Sequence, residues 1–243
     1  MTAWLFDLGN SRFKFAPLQQ QRAGQVQVLE HNGQQALEPQ ALQALPQGSV
    51  AYVASVASAA LREQLLQALA GRFERVELVT TSASCAGVTV AYAEPARFGV
   101  DRFLALIGAY GHGPVLVAGV GTALTLDLLD GEGLHRGGLI SASPTTMREA
   151  LHARAAQLPI EGGEHVAFAS DTLDALASGC EGAAVALIER NLAQAAVLLG
   201  EPVQLLLHGG GAAPLLSWLP QGEYRPSLVL DGLASWATQQ LQA

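Results

Sequence analysis

The chain opens with a short apolar run followed by a stretch in which polar and apolar residues alternate. The run is AWLFDLG, closed by a glycine, and the alternating stretch is RFKFAP. A period of two is typical of β-strands, and small polar residues between two such runs indicate a tight turn. The pattern predicts a β-hairpin whose turn lies at Gly9 to Ser11.

The following segments alternate between strand-like and helix-like patterns. SVAYVASV (49–56) is small and β-branched like a buried strand, and Ser58 can cap a helix that extends through Leu69. VELVT is then predicted to form another strand. Strands that alternate with helices predict a mixed α/β sheet.

From Val115 the pattern restarts. VLVAGVG, TALTLDLLDG and LHRGGLIS predict three strands, and a glycine turn separates the first two. Ser143 and Pro144 occupy the cap and first position of a predicted helix over TTMREALHARAAQL. The three strands and the helix predict a second α/β unit.

The last part of the chain begins with a long alanine-rich stretch. Asp171 is predicted to cap a helix that runs to about Leu199, with Gly179 and Gly182 as close-packing points. VQLLLHGGG and SLVLDG are predicted to be strands, and a terminal helix completes the chain.

An apolar strand, a glycine, and a small hydroxyl or amide residue occur together twice. DLGNS and GVGTA share this arrangement about 112 residues apart, which indicates an internal duplication. We expect an N-terminal half over residues 1–112 and a C-terminal half over residues 113–243. Two such α/β units facing each other would place both glycine turns at a central cleft.

Composition excludes several classes of protein. Half of the residues are hydrophobic and 14% are charged, which is ample for a folded core. A net charge of -8 and scattered arginines argue against nucleic acid as a partner. Cys85 and Cys180 lack disulfide or zinc spacing. Unbroken apolar runs stop short of about 18 residues, and the start resembles no secretory signal, so we expect a cytoplasmic protein without a membrane span.

The glycine turns are candidates for phosphate binding. A turn without bulky side chains exposes successive backbone N–H groups, which together form a cradle for phosphate oxygens. Asp7 at the first strand end could hold Mg²⁺ mostly through water, and Lys14, the only lysine, could bind the β and γ phosphates. Ser11, Thr122 and Asn10 add short-range hydrogen bonds.

Other interpretations of these turns are weaker. Each turn alone could be an ordinary hairpin, but the pairing favours a function. Gly119 and Gly121 begin a dinucleotide-like pattern, yet a strand rather than a helix follows. No Gly-Lys pair exists, so a Walker A loop is excluded. ATP held by the hairpins is therefore preferred over a dinucleotide.

A second candidate site begins the helix after YAEPARFG. Asp101 could accept the proton of an attacking hydroxyl, and Arg102 could bind a substrate carboxylate with its planar fork. Alternatively, Asp101 is a first-turn acid that stabilises the helix dipole by about 0.3 to 1 kcal/mol.

The histidines show no metal-ligand spacing. His208, which precedes three glycines, lies at a predicted strand end where a cleft residue would lie, although a structural role remains open. The other five are interpreted as surface or structural residues: His31, His112, His135, His152 and His165.

Taken in order, these motifs resemble those of type III pantothenate kinases, in the superfamily of acetate and sugar kinases, heat-shock chaperones and actin. DLGNSRFK (7–14) is similar to the family's first phosphate motif, YAEPARFGVDR (92–102) to its pantothenate motif, and GVGTALTLD (119–127) to its second phosphate motif. The resemblance spans nearly the full chain. It implies duplicated ribonuclease H-like, actin-like ATPase domains with mixed sheets that face a central cleft.

The resemblance also implies an activity, which is transfer of the γ-phosphate of ATP to the primary hydroxyl of pantothenate, the first step of coenzyme A synthesis. It implies a homodimer, Asp101 as the catalytic base and Mg²⁺ held at Asp7. The pantothenate site would comprise Tyr92, Gly99, Val100, Asp101, Arg102 and Thr172. The nucleotide site would comprise Asp7, Leu8, Gly9, Asn10, Ser11, Arg12, Phe13, Lys14, Gly121 and Thr122.

The chain departs from the family pattern in its second half. Gly119 stands where the family usually has an aspartate associated with a monovalent cation, K⁺ or NH₄⁺. Ala142 and Ser143 replace a common Pro-Gly pair, and His208 and Gly211 replace a threonine and an aspartate. Nucleotide affinity or the ion requirement could therefore differ from those of the family.

Two alternatives remain at this point. One is a kinase of the same fold that acts on a sugar or another small alcohol, although Arg102 favours an acidic substrate. The other is a non-catalytic relative with a regulatory role, which Gly119 and the altered HGGG segment motivate. Retention of Asp101 argues against the second alternative.

Overall fold

The hairpin predicted at the start of the chain is present in the computed structural model, which describes residues 2–31 and 36–242. Strand β1 pairs antiparallel with β2, and Leu8 faces Phe13 across the turn. The strands are β1 (Ala3–Leu8), β2 (Arg12–Gln19), β3 (Arg22–Ala23), β4 (Gln27–Glu30), β5 (Gly48–Ser55), β6 (Phe73–Leu78), β7 (Ser84–Cys85), β8 (Val88–Thr89), β9 (Val115–Val120), β10 (Ala123–Leu129), β11 (His135–Ala142), β12 (Gln204–His208) and β13 (Gly222–Tyr224). The helices are α1 (Pro39–Gln43), α2 (Ala59–Ala70), α3 (Val100–Ala109), α4 (Pro144–Arg154), α5 (Thr172–Leu199) and α6 (Leu228–Gln242).

The chain divides into two compact units. Unit 1 contains the chain up to Gly111 together with Glu132–His135 and the segment from Ser227 onward. Unit 2 contains His112–Gly131 and Arg136–Pro226. The division at residue 112 that the repeat suggests stays a prediction about the two duplicated halves.

Each unit is built on a sheet with the same strand order. The order is β3-β2-β1-β5-β6 in unit 1, with β4 also pairing with β2, and β11-β10-β9-β12-β13 in unit 2. In both sheets the central strand pairs antiparallel with the strand that follows the glycine turn and parallel with its other neighbour. The α/β class with mixed sheets is therefore as predicted.

The two faces of the unit 1 sheet bury different helices. Phe6 and Leu8 pack with Phe13, Phe15 and residues of α2, so this face holds an aromatic and aliphatic core. Helix α2 begins as predicted, because the side chain of its cap Ser58 accepts a hydrogen bond from the Leu61 N–H. Since side chains alternate along a strand, Asp7 lies on the opposite face, toward α3 and α6.

Helices α3 and α6 cross at two glycines. A Cβ atom at Gly108 would collide with the Leu228 carbonyl, and one at Gly232 would collide with the Leu104 carbonyl. The missing side chains therefore allow the two backbones to touch. The crossing holds α3, which carries Asp101, against the C-terminal segment of the chain.

Several sequence predictions were wrong in detail. SLVLDG is the start of α6 rather than a strand, because Leu230, Leu233 and Ala234 are buried at helical spacing. Gly179 and Gly182 are not close-packing points, since a Cβ atom at Gly179 would meet nothing within 4 Å and one at Gly182 only His165 at 3.9 Å.

The second sheet packs its core against α5. Helix α5 begins as predicted, since the Asp171 side chain accepts hydrogen bonds from Leu173 N–H and Asp174 N–H. Buried residues of α5 such as Ile188 pack against Leu116, Ala118 and other residues of the sheet. By length and composition alone α5 could cross a membrane, a test that core helices of water-soluble proteins also pass. It is weak evidence for a membrane protein.

Candidate active site

Asp7 and Lys14 form a cross-strand pair at the turn end of the first hairpin. The two residues are registered partners of β1 and β2, so their side chains leave the same face of the sheet. Asp7 lies one residue before the end of β1. Because side chains alternate along the strand, its side chain leaves the face opposite to the core that contains Leu8. The predicted acid and lysine are therefore brought together by strand pairing.

The surroundings of this pair shift both pKa values. Burial raises the pKa of Asp7 from 3.8 to about 7, although the charge of Lys14 opposes the shift, and the nearby Asp101 carboxyl adds to it. Burial likewise lowers the pKa of Lys14, against the attraction of Asp7, while Arg12 lowers it further. An acid with so perturbed a pKa next to a cation is typical of a functional site.

Asp101 reaches this cluster from the first turn of α3. Its Oδ1 atom accepts a hydrogen bond from the Arg102 backbone N–H at 2.9 Å. A Cβ atom at the capping residue Gly99 would lie 2.7 Å from that oxygen, so the glycine leaves room for the carboxylate. Asp101 therefore has both the first-turn position of a helix-stabilising acid and an electrostatic contact with Asp7.

Arg102 is buried against an aromatic cluster of unit 1. Its guanidinium carbon lies 4.7 Å from the centre of the Phe98 ring, in a cation–π contact. The rings of Tyr92 and His135 pack on Phe98 at centroid distances of 4.9 Å and 4.8 Å. The predicted substrate residues Tyr92 and Arg102 thus both contact Phe98. Sequence reasoning did not assign Phe98 or His135 to the site.

His31 forms hydrogen bonds with two residues of the first glycine turn. The His31 Nε2 atom lies 3.0 Å from the Gly9 carbonyl oxygen, and the His31 backbone N–H donates to the Ser11 carbonyl at 3.0 Å. His31 is 5% exposed, so this contact is sheltered from water. No sequence motif indicates this contact, because a single histidine 22 residues from Gly9 matches no known pattern.

Both glycines use their own N–H group to close their turns. The Gly9 N–H donates to the Arg12 carbonyl at 3.0 Å, and the Gly121 N–H donates to the Ala123 carbonyl at 2.9 Å. A cradle for phosphate therefore depends on the residues after each glycine rather than on the glycines. A Cβ atom at Gly121 would meet nothing within 4 Å, so the space above this turn is open.

Helix α4 supports the second turn. Its cap Ser143 accepts a hydrogen bond from the Thr146 N–H, and the Thr146 hydroxyl donates to the Thr122 carbonyl at 2.6 Å. Thr122 itself is exposed. Ser143, one of the departures from the family pattern, thus has a capping role in this chain.

The remaining predicted site residues lie in varied surroundings. Leu8 and Phe13 are fully buried in the core, so only their backbone atoms can face a ligand. Arg12 forms an ion pair with Glu30 at 2.9 Å, while Asn10 is exposed at the turn. Val100 is buried, and Thr172 is exposed in the first turn of α5, in unit 2.

The donor set suits a lightly coordinated Mg²⁺ ion. Among residues 2–31 and 36–242, no group of three or more acidic, histidine or cysteine side chains could enclose a metal. Mg²⁺ usually keeps several waters and takes one or two carboxylates beside substrate phosphates. The partly buried Asp7 carboxyl fits that role.

Comparison with known proteins identifies the family of the chain. The sequence model of the type III pantothenate kinase family matches residues 4–194. A type III pantothenate kinase of Xanthomonas campestris pv. campestris (strain B100) is 66% identical over 238 residues, which are 98% of each chain.

Two solved structures resemble the whole chain. One is a conserved Baf family protein from Campylobacter jejuni, with a TM-score of 0.66, 19% identity and coverage of 99% of this chain and 100% of that one. The other is the activator of the 2-hydroxyisocaproyl-CoA dehydratase from Clostridium difficile with bound ADPNP, with a TM-score of 0.51, 10% identity and coverage of 100% and 96%. At these identities the likeness shows the fold alone, which is the actin-like ATPase fold predicted from the sequence.

Proposed function

The chain belongs to the type III pantothenate kinase family, and we propose that it phosphorylates pantothenate through Asp101, Asp7 and Lys14 of unit 1. It is an ATP-dependent phosphotransferase of coenzyme A synthesis, with pantothenate as the alcohol substrate. The observation that carries the assignment of residues is the convergence of Asp7, Lys14 and Asp101, which come from β1, β2 and α3.

Asp101 is the proposed general base. Its carboxylate accepts the proton of the primary hydroxyl as that oxygen attacks the γ-phosphorus, and ADP leaves with the bridging oxygen. The Arg102 N–H holds the carboxylate at the start of α3, which fixes its direction. Because a base of this kind typically contributes about 10²–10⁴-fold, its loss is measurable.

Lys14 and Asp7 serve the nucleotide. The Lys14 ammonium is directed at the β and γ phosphates, where it offsets the charge that develops on the leaving group. Asp7 would hold Mg²⁺ mostly through water, and the ion would neutralise phosphate charge. Asn10 and Ser11 of the first turn, with Gly121 and Thr122 of unit 2, are the further proposed contacts to ATP. The ADPNP bound to the Clostridium difficile relative supports nucleotide binding by this fold.

Tyr92, Gly99, Val100 and Arg102 are the proposed pantothenate contacts in unit 1. The buried Arg102 guanidinium, held over the Phe98 ring, supplies the positive charge that an acidic substrate requires. Thr172 at the start of α5 is proposed to contact the substrate as well, as the family resemblance implies.

Two wider properties are also proposed. We expect a homodimer, as the family resemblance implies. Light scattering on the purified protein measures the mass and tests this directly. We further expect a cytoplasmic location, where pantothenate and ATP are available to it.

The decisive experiment is phosphorylation of pantothenate. Purified protein with Mg·ATP and pantothenate should form 4′-phosphopantothenate, measured by mass spectrometry together with ADP release. Glucose, N-acetylmannosamine and pantothenol form the comparison panel, since pantothenol keeps the hydroxyl but lacks the carboxylate. Pantothenate should be preferred over all three. Equal use of pantothenol would remove the role of Arg102, and use of a sugar alone would favour the same-fold sugar kinase.

A further inference from the structure

Three residues of unit 2 lie side by side across its sheet. Gly119 on the central strand β9 is the registered partner of Thr125 on β10 and of His208 on β12. Side chains of registered partners leave the same face of a sheet. Thr125 and His208 therefore flank the position where residue 119 has no side chain.

The flanking side chains fill the space above Gly119. A Cβ atom there would lie 2.7 Å from Thr125 Oγ1 and 2.8 Å from His208 Nε2, and Gly119 is itself buried. Real Cβ atoms do not approach other atoms so closely. A carboxylate at position 119 is therefore incompatible with His208 in its present orientation, so the glycine and the histidine form a matched pair.

The row formed by Thr125, Gly119 and His208 lies beside the second glycine turn. Gly119 is two residues before Gly121, and His208 is the last residue of β12. Gly209 then turns with a φ of +92° against the backbone of Val120, and the Gly211 N–H donates to the Val120 carbonyl at 3.0 Å. The imidazole is thereby placed at the strand end next to the turn that is proposed to contact phosphate.

These donors do not suit an alkali-metal or ammonium ion. Such ions bind to oxygen atoms, above all carboxylates and carbonyls, whereas the row offers one hydroxyl and one imidazole. The nearest carboxylate on this face of β10 is Asp127, which is opposite Val117 and roughly 7 Å farther along the strand. The residues present therefore do not fit the monovalent cation that the family resemblance implies.

We propose that the His208 imidazole and Gly119 replace a monovalent cation site, so that this enzyme works without K⁺ or NH₄⁺. A ring nitrogen of His208 can donate a hydrogen bond toward an anionic oxygen at the turn, which is the contribution that a bound cation would otherwise make. The kinetic part of this inference rests on the proposed pantothenate kinase activity. The binding part concerns unit 2 alone and does not.

The first test compares cations with the unaltered protein. Activity is measured in KCl, NH₄Cl and tetramethylammonium chloride at one ionic strength, because tetramethylammonium is too large for an alkali-metal site. We expect rates within two-fold of one another. Activation of ten-fold or more by K⁺ or NH₄⁺ would overturn the inference. Absence of turnover in all three salts would instead remove the proposed function.

A thermal-denaturation series decides the binding part without any turnover. The melting temperature of the unaltered protein should be equal in KCl and in tetramethylammonium chloride. A rise that is specific to K⁺ would contradict the proposal, whether or not the protein is active.

Two variants test the matched pair itself. Gly119→Asp alone should lower the melting temperature, because the new side chain collides with His208. Gly119→Asp combined with His208→Thr should recover part of that loss and gain a stabilisation specific to K⁺. If Gly119→Asp were as stable as the unaltered protein, the steric part of the argument would be wrong. Should the double variant fail to fold, the cation series on the unaltered protein still decides.

Discussion

Asp7 and Lys14 face each other across the first hairpin as registered partners, and each acts on the pKa of the other. For Asp7, the effect of burial on the pKa is larger than that of the adjacent Lys14 ammonium, so the pKa of Asp7 is raised. A carboxyl group in this situation gains from a divalent cation, which would relieve the cost of holding its charge. We therefore expect the pair to bind a ligand that brings both a metal ion and phosphate charge.

Asp101 is expected to be essential for turnover but not for folding. Asp101→Asn keeps the size of the side chain and an oxygen that can accept from the Arg102 N–H, but it cannot take a proton. Pantothenate phosphorylation should fall by about 10²–10⁴-fold, with an unchanged circular dichroism spectrum. Glu63→Gln on the exposed side of α2 is the matched control and should retain full activity. Full activity of Asp101→Asn would eliminate the proposed base.

Asp7 should make stability depend on pH in the ligand-free protein. Its pKa is about 7 in the folded state against 3.8 as the ordinary value. Between these pH values the folded protein binds a proton that the unfolded chain has released, so the free energy of unfolding falls as the pH rises. Each pKa unit corresponds to about 1.4 kcal/mol in the free energy of unfolding. Because Asp7 is partly exposed, we expect a total change on the order of 1–2 kcal/mol, which is less than this conversion gives for the whole shift.

Urea denaturation at pH 5 and pH 8 without Mg²⁺ and nucleotide measures this contribution. Asp7→Asn should lose it and be relatively more stable at pH 8, while Mg·ATP should no longer protect the variant. Glu74→Gln, an exposed acid on β6, is the control and should leave the pH dependence unchanged. An Asp7→Asn variant with the same pH dependence as the unaltered protein would show that Asp7 is not the group responsible.

His31 is expected to position the first phosphate turn without contacting the reacting atoms. Loss of its hydrogen bond to the Gly9 carbonyl should loosen the turn. Because one such bond is worth about 0.5–1.5 kcal/mol, His31→Ala should raise the KM for ATP by about 3- to 10-fold. The kcat should change by less than two-fold, and His31→Gln, which can still donate, should recover much of the loss.

His152→Ala is the matched control for this variant. The His152 ring also lies within hydrogen-bond distance of a carbonyl, that of Leu158, but it belongs to unit 2. Its replacement should leave the KM for ATP unchanged. If both variants altered the KM equally, or if His31→Ala lowered only kcat, a positioning role for His31 would not hold.

The crossing of α3 and α6 should tolerate no side chain at its glycines. Gly108→Ala and Gly232→Ala each place a methyl group against a backbone carbonyl that cannot move away. We therefore expect each variant to lower the free energy of unfolding by about 1–3 kcal/mol or more. Activity should fall as well, because α3 carries Asp101. Thermal and urea denaturation provide the measurement.

Gly179→Ala in α5 provides the opposite expectation. Nothing lies within 4 Å of the added methyl group, so the higher helix propensity of alanine should dominate. Stability should stay equal or rise by up to about 1 kcal/mol. A comparable loss in all three variants would mean that contact between the helices is not the cause.

Much of the fold was accessible from local patterns. The first hairpin, the Ser58 and Asp171 caps and the strand that begins at Val115 were predicted correctly, since each depends on a few neighbouring residues. The segment from Ser227 was misassigned to a strand because a short apolar run fits both structures. The segment forms a helix that packs against α3.

The candidate site divides in the same way. Asp7, Lys14 and Asp101 are predicted from sequence motifs. His31 and His135 lie outside the motifs, and Phe98 lies inside the 92–102 motif but has no role that the motif indicates. These three act through contacts with residues that are distant in the chain or belong to another element. Strand register and packing, rather than composition, place them at the site.

The sequence by itself determined the first hairpin, the Ser58, Ser143 and Asp171 caps, the two glycine turns and the acid Asp7 beside the first of them, because periodicity, capping and turn formation act over a few residues. Only the tertiary structure decided that Asp101 acts on Asp7, that His31 supports Gly9, and that His208 closes the space above Gly119. The physical reason is that these relations depend on which strands pair and in which register, and distant segments settle that together when the core packs.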